Sequence, residues 1–150
     1  MEIKIRKAVK SDSEEIIKLI LELAKFEKLI PPNEAGQKRL LDDAFSDSPP
    51  FKILLAEQDN KLLGYAFYLF TYSSFEAKKT LYLEDVFISE SHRNKGIGKL
   101  FLDELIDIAK TNDCRRMEWA VLDWNINAIK FYEKLGAREL KEWKYFRMEV

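Results

Sequence analysis

Apolar residues recur along this chain with two different periods, and the changes between them mark out its elements. Near the start, Ile3, Ile5 and Val9 stand against Lys4, Arg6 and Lys7, the pattern of a short strand with one polar face. Ser11 or Ser13 then opens a helix in which Ile16, Ile17, Ile20, Leu21, Leu23 and Ala24 recur at helical spacing. Glu14 and Glu15 fall in its first turn, where the helix dipole favours negative charge. Pro31 and Pro32 end that element, and Gln37 to Phe45 predicts a second short helix closed by Ser-Asp-Ser-Pro-Pro. Two strands follow, Phe51 to Glu57 and Leu62 to Thr71, with Asp59-Asn60 as the hairpin turn between them. Residues 79 to 89 predict another apolar strand, and a helix runs from about 97 to 110. Met117 to Leu122 predicts a strand, Asn125 to Leu135 a helix ending at Gly136, and 139 to 149 one or two closing strands. The order predicts one α/β (α+β) domain over residues 1–150. Its sheet is mostly antiparallel, with a parallel crossover in the second half.

Composition narrows the partners more than the fold. At 150 residues and 47% hydrophobic, the chain can bury a core of its own. A net charge of −1 provides no global field for nucleic acid or an anionic membrane, and no apolar run approaches a membrane span. The single cysteine, Cys114, rules out an internal disulfide and a Cys-based metal cluster, and one histidine, His92, argues against a His-rich metal site. The alternating N-terminus does not resemble a signal peptide, so a cytoplasmic location is expected.

Between the strand at 79–89 and the helix at 97 lies Ser-Glu-Ser-His-Arg-Asn-Lys-Gly-Ile-Gly-Lys, with an Arg-x-x-Gly-x-Gly run. A loop of this kind brings free backbone N–H groups to a helix N-terminus, and glycines at 96 and 98 remove the Cβ atoms that would hold a ligand off the backbone. Arg93, Lys95 and Lys99 add positive charge. The run matches neither the P-loop spacing nor the Rossmann glycine triplet. A phosphorylated cofactor held in another way is therefore expected, against the alternative of a plain strand-to-helix turn.

That strand, loop and helix resemble the acyl-CoA motif of the GNAT superfamily of N-acetyltransferases. Asp123-Trp124-Asn125-Ile126-Asn127-Ala128, Phe131-Tyr132 and Leu135-Gly136-Ala137 resemble the superfamily's second cofactor motif. Leu23-Ala24-Lys25-Phe26-Glu27, Phe70-Thr71-Tyr72, Tyr82-Leu83-Glu84-Asp85 and Trp143 are similar to the spermidine/spermine (diamine) and thialysine acetyltransferase group. The resemblance implies a twisted, mixed sheet of six to seven strands with about four helices and a splayed fourth and fifth strand. It implies acetyl-CoA as cofactor, held by the backbone of Val86, Phe87 and Ile88, by Arg93, Asn94, Lys95, Gly96, Ile97, Gly98 and Lys99, and by Asn125, Asn127, Ala128 and Tyr132. It also implies a small-molecule amine as substrate and a homodimer, with no nucleic acid, membrane or metal.

Acetyl transfer to an amine needs a base for the ammonium, a donor for the thioester carbonyl and a proton for the leaving thiolate. Tyr132 resembles the superfamily tyrosine near the CoA sulfur and is assigned as general acid, against the alternative of a core tyrosine. Glu84 is the best candidate base, acting through water, against the alternative that it only binds the cation or sits in a surface salt bridge. On a regular strand Glu84 and Asp85 point to opposite faces, and a bulge would let both reach one cleft. With Glu27 they would form an acidic patch for a polyamine or a lysine-like amine, against the alternative of solvated charges. Phe26, Glu118 and Trp119 align with substrate-facing positions of the diamine group. Ser73-Ser74-Phe75 and Lys141 depart from that group's pattern and remove acids from it, so the substrate stays open. Other readings are a protein Lys or N-terminal acetyltransferase, or a non-catalytic CoA-binding regulatory module.

Overall fold

A computed structural model describes residues 1–150 and divides them into two compact units, Met1–Trp119 and Ala120–Val150. The first unit holds β1 (Lys4–Lys7), α1 (Ser13–Glu27), α2 (Glu34–Ala44), β2 (Lys52–Gln58), β3 (Lys61–Ser73), β4 (Lys78–Ile88), α3 (Ile97–Thr111) and β5 (Arg116–Glu118). The second holds α4 (Ile126–Lys134).

The five strands lie in the order β1-β2-β3-β4-β5. The first three pairings are antiparallel, and β5 joins β4 in parallel after the α3 crossover. The hairpin between β2 and β3 turns on Asp59 and Asn60, both at positive φ, which short polar side chains tolerate.

Helix α1 ends earlier than its prolines suggest, because Lys28 takes a left-handed cap at φ 58. Only Ile16 and Leu19 of α1 are fully buried; Leu21, on the predicted stripe, is exposed. Helix α2 begins at Glu34, not 37, because the Asn33 side chain caps it by accepting from the Gly36 N–H at 2.9 Å.

Five strands are formed where six to seven were expected. Residues 139–149 carry no strand, and the predicted 117–122 strand is reduced to Arg116–Glu118. Alternation marks a segment that could lie on a sheet, but a strand also needs a neighbour to complete its ladder.

The core of the first unit lies on both faces of the sheet. Ile16 and Leu19 of α1 pack with Ile53, Leu55, Tyr65 and Phe87 on one side. Helix α3 buries Ile97, Phe101, Leu102, Leu105 and Ala109 and approaches β1, β2, β4 and β5. The fold thus fixes β4 between β3 and β5, with the loop 89–96 at its end.

Candidate active site

The strand that carries the predicted acids is irregular where they occur. Tyr68 lies opposite Leu83 and Phe67 opposite Asp85, so Glu84 is an extra residue with no partner of its own on β3. This is a β-bulge, and it reverses the alternation of everything that follows. Beyond it, Asp85 and Phe87 share the face of Phe67 and Tyr65, the face covered by α1. Counting forward from Tyr82, opposite Leu69, places Glu84 on that same face. The two neighbouring carboxylates therefore do not diverge as a regular strand would require.

Tyr65, with no exposed surface, donates its hydroxyl to Asp85 Oδ2 at 3.1 Å. Burial pushes the Asp85 carboxyl up to about 6, with the Glu84 and Glu27 charges adding to the rise and the Tyr65 hydrogen bond opposing it. Glu27, at the end of α1, is also raised, first by burial and then by Glu84. Burial raises the Tyr65 phenol well above its ordinary value, with Asp85 the next cause. Three carboxylates from α1 and β4 thus repel one another around a buried hydroxyl from β3. They are not disposed as a metal-ligating group. An arrangement of this kind is relieved by an arriving cation.

The neighbouring strand edge is open within the first unit. Strand β5 pairs with β4 only at Thr80, Leu81 and Tyr82, whereas β3 follows β4 to Ile88. Within the first unit, Val86, Phe87 and Ile88 therefore have a strand on one side only. One carbonyl there is engaged, since Arg93 Nε donates to Ile88 O at 3.0 Å. The Arg93 guanidinium also lies over the rings of Phe26, 4.6 Å from its centroid, and Phe87, at 5.6 Å. Its side chain therefore ties the loop to the ends of β4 and α1.

In the loop, Asn94 (φ 62) and Gly96 (φ 77) both take left-handed conformations, which turn the chain into α3. A Cβ on Gly96 would meet nothing within 4 Å, so the glycine serves backbone shape and leaves open space beside it. The first helical bond of α3 is Leu100 N–H to Gly96 O at 3.2 Å, leaving the N–H groups of Ile97, Gly98 and Lys99 without intrahelical acceptors. This cradle fits an anionic phosphate group. Lys95 is exposed, and Lys99 pairs with Asp103 at 2.7 Å.

The other predicted residues are placed as follows. Glu118 pairs with Arg116 at 3.0 Å, so its charge is partly occupied, and Trp119 follows β5 directly. In the second unit, the Asn125 side chain accepts from the Ala128 N–H at 3.3 Å and caps α4, whose next turns carry Asn127 and Tyr132. The rings of Phe131 and Tyr132 are 5.5 Å apart between centroids. A cavity of ≈ 550 Å³ is lined by residues such as Phe45, Phe51, Tyr68 and Ile108 and by none of the predicted site residues.

Tyr65 and Gly64 escaped sequence reasoning. A phenol on a buried strand must find an acceptor, which was the available signal for Tyr65. Gly64 lies so close to β4 that an added Cβ would sit 2.3 Å from Phe87 O.

An open strand edge, a glycine-shaped anion cradle at a helix N-terminus and an acidic bulge define an acyltransferase-like architecture. The acetyltransferase (GNAT) family model matches residues 17–137, and the chain belongs to that family. It is 35% identical to the thialysine N-epsilon-acetyltransferase of Sus scrofa over 97% of this chain and 91% of that protein. It is 37% identical to the spermidine/spermine N(1)-acetyltransferase-like protein 1 of Homo sapiens, over 95% of this chain but 22% of that longer protein. Among solved structures, an integron cassette protein from the mobile metagenome of V. cholerae is 28% identical, with a TM-score of 0.82 over 100% of this chain and 94% of that one. The chain is thus an N-acetyltransferase of the GNAT family, with a four-helix, five-stranded mixed-sheet fold.

Proposed function

We propose that residues 1–150 form one acetyl-CoA-dependent transferase domain that acetylates a primary amine of a small cationic substrate, a polyamine, diamine or lysine-like amine. The observation that carries this reading is the bulge at Glu84, which gathers Glu84 and Asp85 on one face with the raised carboxyl of Glu27 nearby. A surplus of repelling carboxylates suits a ligand with more than one positive charge. The names of the thialysine and spermidine/spermine relatives support the same substrate class.

The residues around Gly96 and the open edge of Val86 to Ile88 would hold the cofactor, with Asn125, Asn127 and Ala128 assigned to it by resemblance. When bound, acetyl-CoA supplies an activated acyl thioester. Glu84 takes the ammonium proton through water, while Asp85 and Glu27 hold the cation in place. Phe26, Glu118 and Trp119 are assigned to substrate contact by resemblance. Tyr132, matched to the family's tyrosine, would supply a proton from its hydroxyl to the cofactor's sulfur. Cys114 does not serve as an acyl carrier in this reading: burial raises its thiol, which disfavours the nucleophilic thiolate. We assign the protein to the cytoplasm and expect it to act as a homodimer, the latter testable by light scattering.

The functional test is amine-dependent thiol release from acetyl-CoA with putrescine, spermidine, lysine analogues and short peptides. Turnover on the small amines is expected. Turnover on peptides alone would replace this reading with protein acetylation, and no thiol release with any amine or peptide would reduce the chain to a cofactor-binding module.

A further inference from the structure

We propose that Tyr65 is a positioning residue for amine acceptance, its buried hydroxyl holding the Asp85 carboxylate in the acidic cluster at the bulge; this rests on the acetyl-transfer reading above. The geometry has three parts. Tyr65 has no exposed surface, so its ring cannot turn its hydroxyl out to water. The ring is fixed among Ile16, Leu19, Ile53, Leu55 and Phe87, with the Phe87 centroid 6.4 Å away. The hydroxyl has one protein acceptor, Asp85 Oδ2 at 3.1 Å.

The groups facing Asp85 come from each neighbouring element. Glu84 stands beside it on β4, Glu27 at the end of α1, and the Tyr65 hydroxyl on β3. Of these, only Tyr65 stabilises the ionised form. The loop's Arg93 is engaged by Ile88 O and the rings of Phe26 and Phe87. Without the hydroxyl, nothing else named here would oppose burial and two like charges. Asp85 would then stay protonated to higher pH and present a neutral acid to a cationic amine. A hydrogen bond to a charged group is worth enough to move a carboxyl by on the order of one pH unit.

The test is Tyr65→Phe, which keeps the ring and removes the donor. The acid limb of kcat/KM for spermidine and for thialysine should move up by about one pH unit, with turnover restored at alkaline pH. In parallel, the Asp85 side-chain carboxyl carbon, followed by NMR in the protein without substrate, should titrate at correspondingly higher pH. A uniform loss of turnover at every pH with an unmoved limb would mean a merely structural role and overturn the inference. So would an unmoved Asp85 titration. If wild-type protein acetylates no amine, the acetyl-transfer reading fails, and the carboxyl titration still decides the role of Tyr65. Should Tyr65→Phe fail to fold, 3-fluorotyrosine placed at position 65 provides the opposite perturbation. Its more acidic phenol should lower the Asp85 titration, and no movement would overturn the proposal.

Discussion

Replacing Asp85 with Asn should make the protein more stable at neutral pH while impairing turnover on cationic amines. In the folded chain the Asp85 carboxyl is pushed from an ordinary 3.8 to about 6, chiefly by burial and then by Glu84. The sign follows from proton linkage. Between those two values the folded state binds more protons than the unfolded state, so stability falls as pH rises through the window. Above about pH 6 the full penalty of an ionised Asp85 is present. The gap, 6 less 3.8, is worth on the order of 3 kcal/mol at about 1.4 kcal/mol per pH unit. Asn keeps an oxygen for the Tyr65 hydroxyl, removes the charge and relieves Glu84 and Glu27. The gain should therefore approach about 3 kcal/mol at pH 7 and vanish below pH 4, where Asp85 is protonated in both states. For a chain of this length that is a rise in Tm of roughly 6–12 °C at pH 7. Urea unfolding of both proteins at pH 4 and pH 7 measures it. Equal gains at the two pH values, or no gain at pH 7, would refute the reasoning.

Three further perturbations test other parts of the frame. Gly64→Ala would place a methyl 2.3 Å from Phe87 O and 3.1 Å from Ile88 Cα, both backbone atoms, so β3 and β4 must part; a loss of about 1–3 kcal/mol in urea unfolding is expected, and unchanged stability would show that the strands yield freely. Arg6→Met removes two bonds to Asp12, at 2.8 and 2.9 Å, and one to Glu57 at 2.6 Å, and should cost about 1–3 kcal/mol near pH 7. Because Arg6 holds the Asp12 carboxyl below its ordinary 3.8, that stabilisation is present above this value and fades as pH falls through the lower folded value, so the Arg6→Met loss should shrink in acid. Arg93→Lys cannot keep both the bond to Ile88 O and the planar cover on Phe26 and Phe87, and the KM for acetyl-CoA should rise by about tenfold; an unchanged KM would reduce Arg93 to a surface cation.

Much of this frame was legible because it is local. The 3.6-residue period set α1 and α3, the Asp59-Asn60 pair set the hairpin, and the Gly-x-Gly run set the turn into α3. Each depends on residues within one turn or one strand of one another. Helix α2 was misplaced by three residues because its signal was a cap, Asn33, rather than an apolar stripe. Strand number failed for a different reason. The 139–149 segment alternates well, but pairing is a property of two segments, and a single pattern cannot show its partner.

The acidic site shows where such legibility ends and why. Glu84-Asp85 was visible as a pair of acids, and a bulge was the condition for both to act together. Nothing local marks the bulge, since Leu83, Glu84 and Asp85 fit a regular strand as well as a broken one. What decides is register against β3: Leu83 must meet Tyr68, and Phe87 must meet Tyr65 beneath α1. Both apolar contacts can be made only if one residue between them is left over, and the leftover residue is Glu84. Burial of Phe87 thus carries Asp85 to the same face, where Tyr65 meets it. The core sets the position of the acids, and the acids reduce the stability that the core provides. A chain selected for stability alone would have no use for a carboxyl raised to about 6 at this position. In the proposed function, a cationic substrate is what relieves the cluster.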